Sequence, residues 1–274
     1  MSNYTRLQVE REGPVGWLNF DRPEVGNAID AAMFDELELA WAELDADPDV
    51  RVIVNSGNGS GFCTGLDVAA LTRDKGALRK HSQRTRDAQL RFTSWHMGVV
   101  KPVIAAINGV CAGGGLHFVA DADIRVAANN AFFIDPHVSI GQAVAFEGIA
   151  LVRQSPMESI MRMALIGKHE KLSAKRACEL GIVGEVVESS ILRNHVQRLA
   201  EQIASNSPTA IALSKQALWE AFEAGLTDAC RNGAQRVVAM WGHADQTEGP
   251  TAFAERRTPE FQPLARELLN LGDR

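Results

Sequence analysis

Apolar runs of four to eight residues closed by glycine, proline, asparagine or aspartate recur through the first half of the chain; in the second half apolar positions fall at helical spacing. Residues 7–10 and 15–20 are strand candidates on either side of Glu12-Gly13-Pro14, a turn signal that predicts a hairpin. Asp30 is placed to cap a helix carrying Met33, Leu37, Leu39, Trp41 and Leu44, and Asp45-Ala46-Asp47-Pro48 stops it before a strand at 50–54. Residues 73–98 set Leu78, Leu90, Phe92 and Trp95 among Arg, Lys and Gln, which reads as a long, partly exposed helix. Strands are expected at 101–107, 124–127 and 131–134. Beyond Glu147 only 184–187 reads as a strand, and helices are expected over 157–166, 173–180, 189–205, 209–224 and 226–241. Ser173 and Ser207 suit N-caps, and Gly181 and Gly225 stand where C′ glycines belong. The pattern implies an α/β fold, a mixed sheet followed by a helical region.

Two strand-to-loop junctions stand out. The apolar run behind Pro102 ends at Asn108-Gly109 and leads into Gly113-Gly114-Gly115, then Leu116, His117, Phe118 and Val119 at the spacing of a buried helix. Helix-opening amides lack intrahelical acceptors, and glycines let a ligand oxygen reach the main chain without meeting a Cβ. A bare triple glycine suits a tight core turn equally well. The other junction is Gly61-Phe62-Cys63-Thr64-Gly65-Leu66-Asp67, which follows the strand at 50–54.

The order F-C-x-G-x-D, K-P-V-I-A-A-I-N-G, triple glycine and a D-I strand resembles the crotonase, or enoyl-CoA hydratase/isomerase, superfamily. The resemblance runs from about Gly13 to Pro259 and takes in Asp21-Arg22-Pro23, Asn27-Ala28-Ile29, Leu172-Ser173-Ala174 and Phe253-Ala254-Glu255-Arg256-Arg257. It implies a crotonase-like ββα spiral core, residues 1–200, and a C-terminal helical trimerisation region, 201–274, in a homotrimer or dimer of trimers. It also implies an acyl-CoA substrate whose thioester oxygen is held by two backbone amides; by motif position these are Leu66 and Gly114. Such amides stabilise an enolate oxygen without reorganising, and losing one donor costs about 2.7–4 kcal/mol.

At the family's two catalytic glutamate positions, two residues past the triple glycine and directly after a proline, this chain carries His117 and His137. An unperturbed imidazole pKa of about 6.5 suits proton exchange near neutrality. The setting Asp135-Pro136-His137 resembles that of superfamily members which cleave carbon–carbon bonds by a retro-Claisen route. Glu147 is a candidate third member of the site, or else an acidic residue in the first turn of a helix, where the dipole favours it. The spacing of His117, His137 and Glu147 fits no compact ligand motif such as HExxH, so no metal is expected.

The resemblance places coenzyme A, as part of the substrate and not as a separate cofactor, against Ala28 and the main chain of Cys63, Gly65, Leu66, Asp67 and Val68. The lysine many relatives carry after Arg-Pro is Glu24 here. Arg256, with Arg257, could supply phosphate charge, although a solvated charged face explains them equally well.

Composition sets the outer limits. Across 274 residues, 46% hydrophobic content is enough for a large core, and a net charge of −6 carries no footprint of a nucleic-acid or membrane-surface protein. Cys63, Cys111, Cys178 and Cys230 are scattered, with no CxxC pair, which fits a reducing cytoplasm. No signal-peptide core and no membrane span are visible. The expectation is a cytoplasmic enzyme acting on an acyl-CoA through an oxyanion-stabilised enolate, with His117 and His137 as acid and base. Two alternatives stand beside it: a retro-Claisen hydrolase of a cyclic β-diketone or its CoA ester, and an inactive acyl-CoA-binding subunit.

Overall fold

A computed structural model of the chain describes residues 3–73, 76, 83, 84 and 89–269. Strands β1 (Leu7–Glu12) and β2 (Val15–Phe20) form the expected antiparallel hairpin. Next come α1 (Ala31–Ala46), β3 (Val52–Gly57), β4 (Gly61–Cys63) and α2 (Val68–Arg73). After them follow β5 (Val103–Ile107), β6 (Val110–Ala112), α3 (Leu116–Ala120), β7 (Ile124–Ala128), β8 (Phe132–Ile134) and α4 (Phe146–Val152). Two sheets result. The larger runs β1-β2-β3-β5-β7-β10, parallel beyond the hairpin, where β10 is Glu185–Val187. The smaller runs β4-β6-β8-β9, with β9 at Leu172–Ser173.

Each turn of the chain therefore lays one strand in the large sheet and the next in the small one before a helix returns, from β3 and β4 to α2 and from β5 and β6 to α3. That repetition is the ββα spiral. Period-two alternation of side chains explains how the large sheet is covered on both faces. Val15 and Trp17 point to one face with Val52, Val54, Ile104 and Val126, covered by Leu192, Val196 and Ala200 of α7 (Leu192–Ala204). Leu18 and Phe20 point to the other with Ile53, Val103 and Ala105, in the main core, where Met33, Leu37, Trp41 and Leu44 of α1 also lie. Trp17 brings its indole N–H into the core only because Gln197 Oε1 accepts it at 2.8 Å. The remaining helices are α5 (Met157–Ile166), α6 (Ala174–Glu179), α8 (Pro208–Glu220), α9 (Leu226–Ala239) and α10 (Asp245–Glu255).

The caps are where the residue types place them. Asp30 accepts from the Met33 amide, Ser173 from Arg176 and Ser207 from Ala210. Gly181 is left-handed at φ +74°, as a C′ glycine should be, but Gly225 sits at φ −69° and opens α9 instead of closing α8. The strand expected at 50–54 starts two residues later and extends to Gly57. Most of the helix expected at 73–98 lies outside the described residues; over 89–98 the chain is loop and turn. Thr93 accounts for this, because its hydroxyl accepts from the His96 amide and donates to Asp121, an alternative to helical bonding. No described helix is long and apolar enough to cross a membrane.

Candidate active site

Parallel pairing of β4 with β6 brings the two glycine loops side by side. The contact is so close that side chains are excluded. A Cβ on Gly115 would stand 2.3 Å from the Cys63 carbonyl oxygen, and one on Gly65 would stand 2.6 Å from the Gly114 nitrogen. Gly65 also holds φ +86°, which L side chains rarely adopt. The Ile29 amide donates to Gly65 O at 2.7 Å and the Asp67 amide donates to Ile29 O at 2.9 Å. Leu66, the bridge partner between them, directs its own N–H to the opposite side. Gly114 lies in the short 3-10 turn Gly113–Gly115 that opens α3, and a Cβ on it would be 3.6 Å from Leu66 N. Two main-chain nitrogens thus border one space. Leu66 itself is 41% exposed, so its side chain is not what holds the loop.

The same bridge, between Ile29 and Leu66, sets the neighbouring Ala28 beside the strip 63–68. Arg22 clamps the junction: its guanidinium donates to Ala28 O at 2.5 Å and to Asp67 Oδ2 at 3.1 Å. Asp67 Oδ1 meanwhile accepts from the Ala70 amide at the start of α2, so the Asp67 side chain is occupied structurally. Buried Asn27, left-handed at φ 57°, donates to Asn58 O and Gly61 O and ties the turn to the second loop. Cys63 is wholly buried with its thiol pushed up to about 12 by desolvation, so only its main chain faces the strip. Arg256 is elsewhere: it closes α10 in a left-handed cap, exposed, and no described contact ties it to 63–68. Its neighbour Arg257 is paired with Glu248 and Glu255.

His117, His137 and Glu147 come together, with Asp135 as a fourth member. Helix α3 carries His117, the residues after β8 carry Asp135 and His137, and the first turn of α4 carries Glu147. The Glu147 carboxylate is 3.2 Å from His117 Nε2 through one oxygen and 3.2 Å from His137 Nδ1 through the other. His137 Nδ1 donates to Asp135 Oδ1 at 2.7 Å, and its amide donates to the same oxygen at 3.1 Å. One Nδ1 proton cannot serve two acceptors, and Asp135 is the closer. Glu147 Oε1, in a side chain only 4% exposed, is therefore left with charge attraction and no hydrogen bond. His137 Nε2 likewise has no hydrogen bond among the described residues. The cluster adjoins the glycine turn, since a Cβ on Gly113 would be 3.6 Å from His137 Cε1.

Opposed effects set the charges. The hydrogen bond to Asp135 raises His137, and the negative charges of Glu147 and Asp135 add to this against burial. Burial alone would raise Glu147, but the bond and charge of His117, its own amide and His137 together hold it below the usual range. The two directions work together: the cluster holds Glu147 as a carboxylate and favours the protonated form of His137 beside it.

Behind His117 lies a group with no local signal in the sequence. Asp121 Oδ2 accepts from Thr93 Oγ1 at 2.6 Å, and that hydroxyl is 2.7 Å from His96 Nδ1. Burial, with a contribution from His117, pushes His96 down to about 4, and burial raises Asp121 to about 6 despite the Thr93 bond. His96 is therefore neutral at pH 7 and donates through Nδ1 to Thr93. Asp135 was findable from its two-residue spacing to His137; Thr93, His96 and Asp121 meet only through tertiary packing.

A ββα spiral whose two glycine loops meet beside a buried cluster of two histidines and two carboxylates is the crotonase fold, and solved structures agree. An enoyl-CoA hydratase/isomerase from Mycobacterium paratuberculosis superposes with a TM-score of 0.87 at 32% identity, over 95% of this chain and 99% of that one. An enoyl-CoA hydratase subunit from Geobacillus kaustophilus gives 0.85 at 31%, again over 95% and 99%. The chain belongs to the enoyl-CoA hydratase/isomerase family, whose profile matches residues 10–263. Among its relatives, the (E)-benzylidenesuccinyl-CoA hydratase of Thauera aromatica is 35% identical over 93% of this chain and 98% of its own. The short-chain-enoyl-CoA hydratase of Clostridium acetobutylicum is 30% identical over 92% and 95%. Both of these relatives are named for the hydration of a CoA thioester.

Proposed function

We propose that the protein adds water to a 2-enoyl-CoA thioester, with Glu147 as general base and His137 as general acid. The observation that carries the reading is the free acceptor Oε1 of Glu147, held ionised 3.2 Å from Nδ1 of His137, the imidazole that adjoins the Gly113 turn. The thioester oxygen takes the Leu66 and Gly114 amides, and the coenzyme lies along Ala28 and 63–68. Water gives a proton to Glu147 as its oxygen bonds to C3. The C2–C3 π electrons move onto the thioester oxygen, whose charge the two amides stabilise. The enolate collapses by taking a proton at C2 from His137 Nε2–H, and a water-mediated transfer from Glu147 to His137 restores both groups. His117 touches the other oxygen of Glu147 and orients it; Asp135 does the same for His137.

This divides the work differently from a simple histidine pair. Glu147 supplies the basic oxygen, and one histidine, not both, delivers the proton to carbon. The subunits are proposed to assemble as a trimer or dimer of trimers, which would cover the exposed Leu226 and Phe253 of the C-terminal helices and Trp241 in the turn between them.

A second reading rests on the Asp135–His137 pair at 2.7 Å. In its neutral form His137 could activate water against a ketone carbonyl and cleave a carbon–carbon bond. Mass spectrometry separates the cases. Incubation with short 2-enoyl-CoAs should give 3-hydroxyacyl-CoA, a gain of one water. Opening of a cyclic 1,3-diketone instead would establish the second reading, and binding without either reaction would mark an inactive acyl-CoA-binding subunit.

A further inference from the structure

His117 belongs to two places at once. One edge meets Glu147, and the ring also lines a cavity of about 380 Å³ between α4, the 93–98 turn and the end of α8. The other walls carry the rings of Trp95, Phe146, Trp219 and Phe222 among aliphatic and charged groups that include Arg153, whose guanidinium lies over the Phe222 ring, with His96 beside His117 at the base. The His117 ring lies 4.9 Å from Phe92, edge to face, and 5.9 Å from His96. His96 is bonded to Thr93 through Nδ1 and uncharged at neutral pH, so it meets a ligand as a neutral ring.

We infer that this cavity receives an aromatic ring carried on C3 of the acyl group, so that the substrate class is an aryl-substituted acyl-CoA. The inference rests on the acyl-CoA reading above, which puts the thioester oxygen at Leu66 and Gly114 and C3 beside Glu147. His117 touches Glu147 with one edge and lines the cavity with its ring, so the cavity is the space that adjoins an acyl group whose C3 lies beside Glu147. Size agrees: an apolar cavity of about 150 Å³ already holds a benzene ring, and this one has more than twice that volume. The shape of the walls decides between ring and alkyl chain. Rings facing a ligand from several directions offer edge-to-face and offset contacts that reward another ring beyond its buried area, and an alkyl chain gains only the area. Trp95 and Phe222 are 54% and 38% exposed, so the wall is incomplete until something apolar lies against it.

The test compares two saturated esters with nine acyl carbons each, 3-phenylpropanoyl-CoA and nonanoyl-CoA. Neither can be hydrated, so binding is measured apart from turnover, by calorimetry and by tryptophan emission, with free coenzyme A as the baseline. The phenyl ester should bind roughly tenfold more tightly than the alkyl ester, the effect of one or two ring contacts. Phe222→Ala and Trp95→Ala, both at exposed positions, should bring the ratio toward one. A wild-type ratio below about threefold overturns the aryl assignment and leaves the acyl-CoA reading standing. If neither ester binds better than coenzyme A, the reading on which it rests fails as well.

Discussion

Gly65 is the residue on which the paired amides depend, and Gly65→Ala tests them without substituting either Leu66 or Gly114. The new Cβ would stand 2.6 Å from Gly114 N and 2.9 Å from Ala112 O, against the 3.4 Å of ordinary contact, a shortfall of 0.8 Å at the nearer atom. Both neighbours are backbone and cannot rotate away, so the loops must part by about that distance. An N–H···O bond of roughly 2.9 Å stretched this far leaves the hydrogen-bonding range. The loss of one oxyanion donor lowers kcat about 10²–10³-fold. The substitution also forces alanine to φ +86°, a left-handed conformation costing about 1–2 kcal/mol, or a few degrees of melting temperature in a chain of this size. Gly13→Ala separates the two effects, because Gly13 has φ +59° with nothing within 4 Å of its Cβ position. Hydration of crotonyl-CoA, with melting followed by circular dichroism, reads both variants. Gly13→Ala should lose a few degrees and no turnover; Gly65→Ala should lose both. A folded Gly65→Ala with near-wild-type kcat would refute the role given to Leu66 and Gly114.

The plateau of kcat/KM against pH should be broad around neutrality, since Glu147 titrates below its ordinary value and His137 above its own. Activity should fall on the acid side as Glu147 takes up a proton and on the alkaline side as His137 loses one; a profile centred on a single group near 6.5 would contradict this. Stability follows the same signs. The raised His137 contributes stability that is full below its unfolded pKa and lost as pH rises through the folded value, whereas the lowered Glu147 contributes above its unfolded pKa and loses it on acidification. Asp135→Asn removes the main cause of the His137 shift, so the alkaline limb should move down toward 6.5; an unmoved limb would show that another group sets it. Light scattering should give the mass of three or six chains, and a monomer at micromolar concentration would exclude the proposed assembly.

Local chemistry was legible in the sequence wherever it was self-contained. Ser173, Ser207 and Asp30 cap helices because each side chain bonds an amide three residues on, a contact that needs no distant partner. Gly225 deceived because glycine serves either helix end, and here its extended backbone opens α9. The three-residue strands β4 and β6 read as loop or as a short apolar link, being too short for alternation to show; yet their pairing is what brings Gly65 against Gly114. The two histidines and Glu147 were visible as positions, but not the allocation of their protons. That depends on distances set by three separate elements, and above all on Asp135 taking the Nδ1 proton of His137 and leaving Glu147 Oε1 without one. The Thr93–Asp121 bond, between residues 28 apart, has no sequence pattern at all.

Glu147→Gln keeps the shape of the side chain and removes the basic oxygen on which the hydration reading turns. Steady-state hydration of crotonyl-CoA, with the dissociation constant of butanoyl-CoA measured alongside, tests it most directly. General base catalysis is worth about 10²–10⁴ in rate, so kcat should fall by that factor while ester binding stays within about threefold. A variant that hydrates crotonyl-CoA at near-wild-type kcat, or one whose entire loss lies in binding, would contradict the assignment of Glu147 as the base.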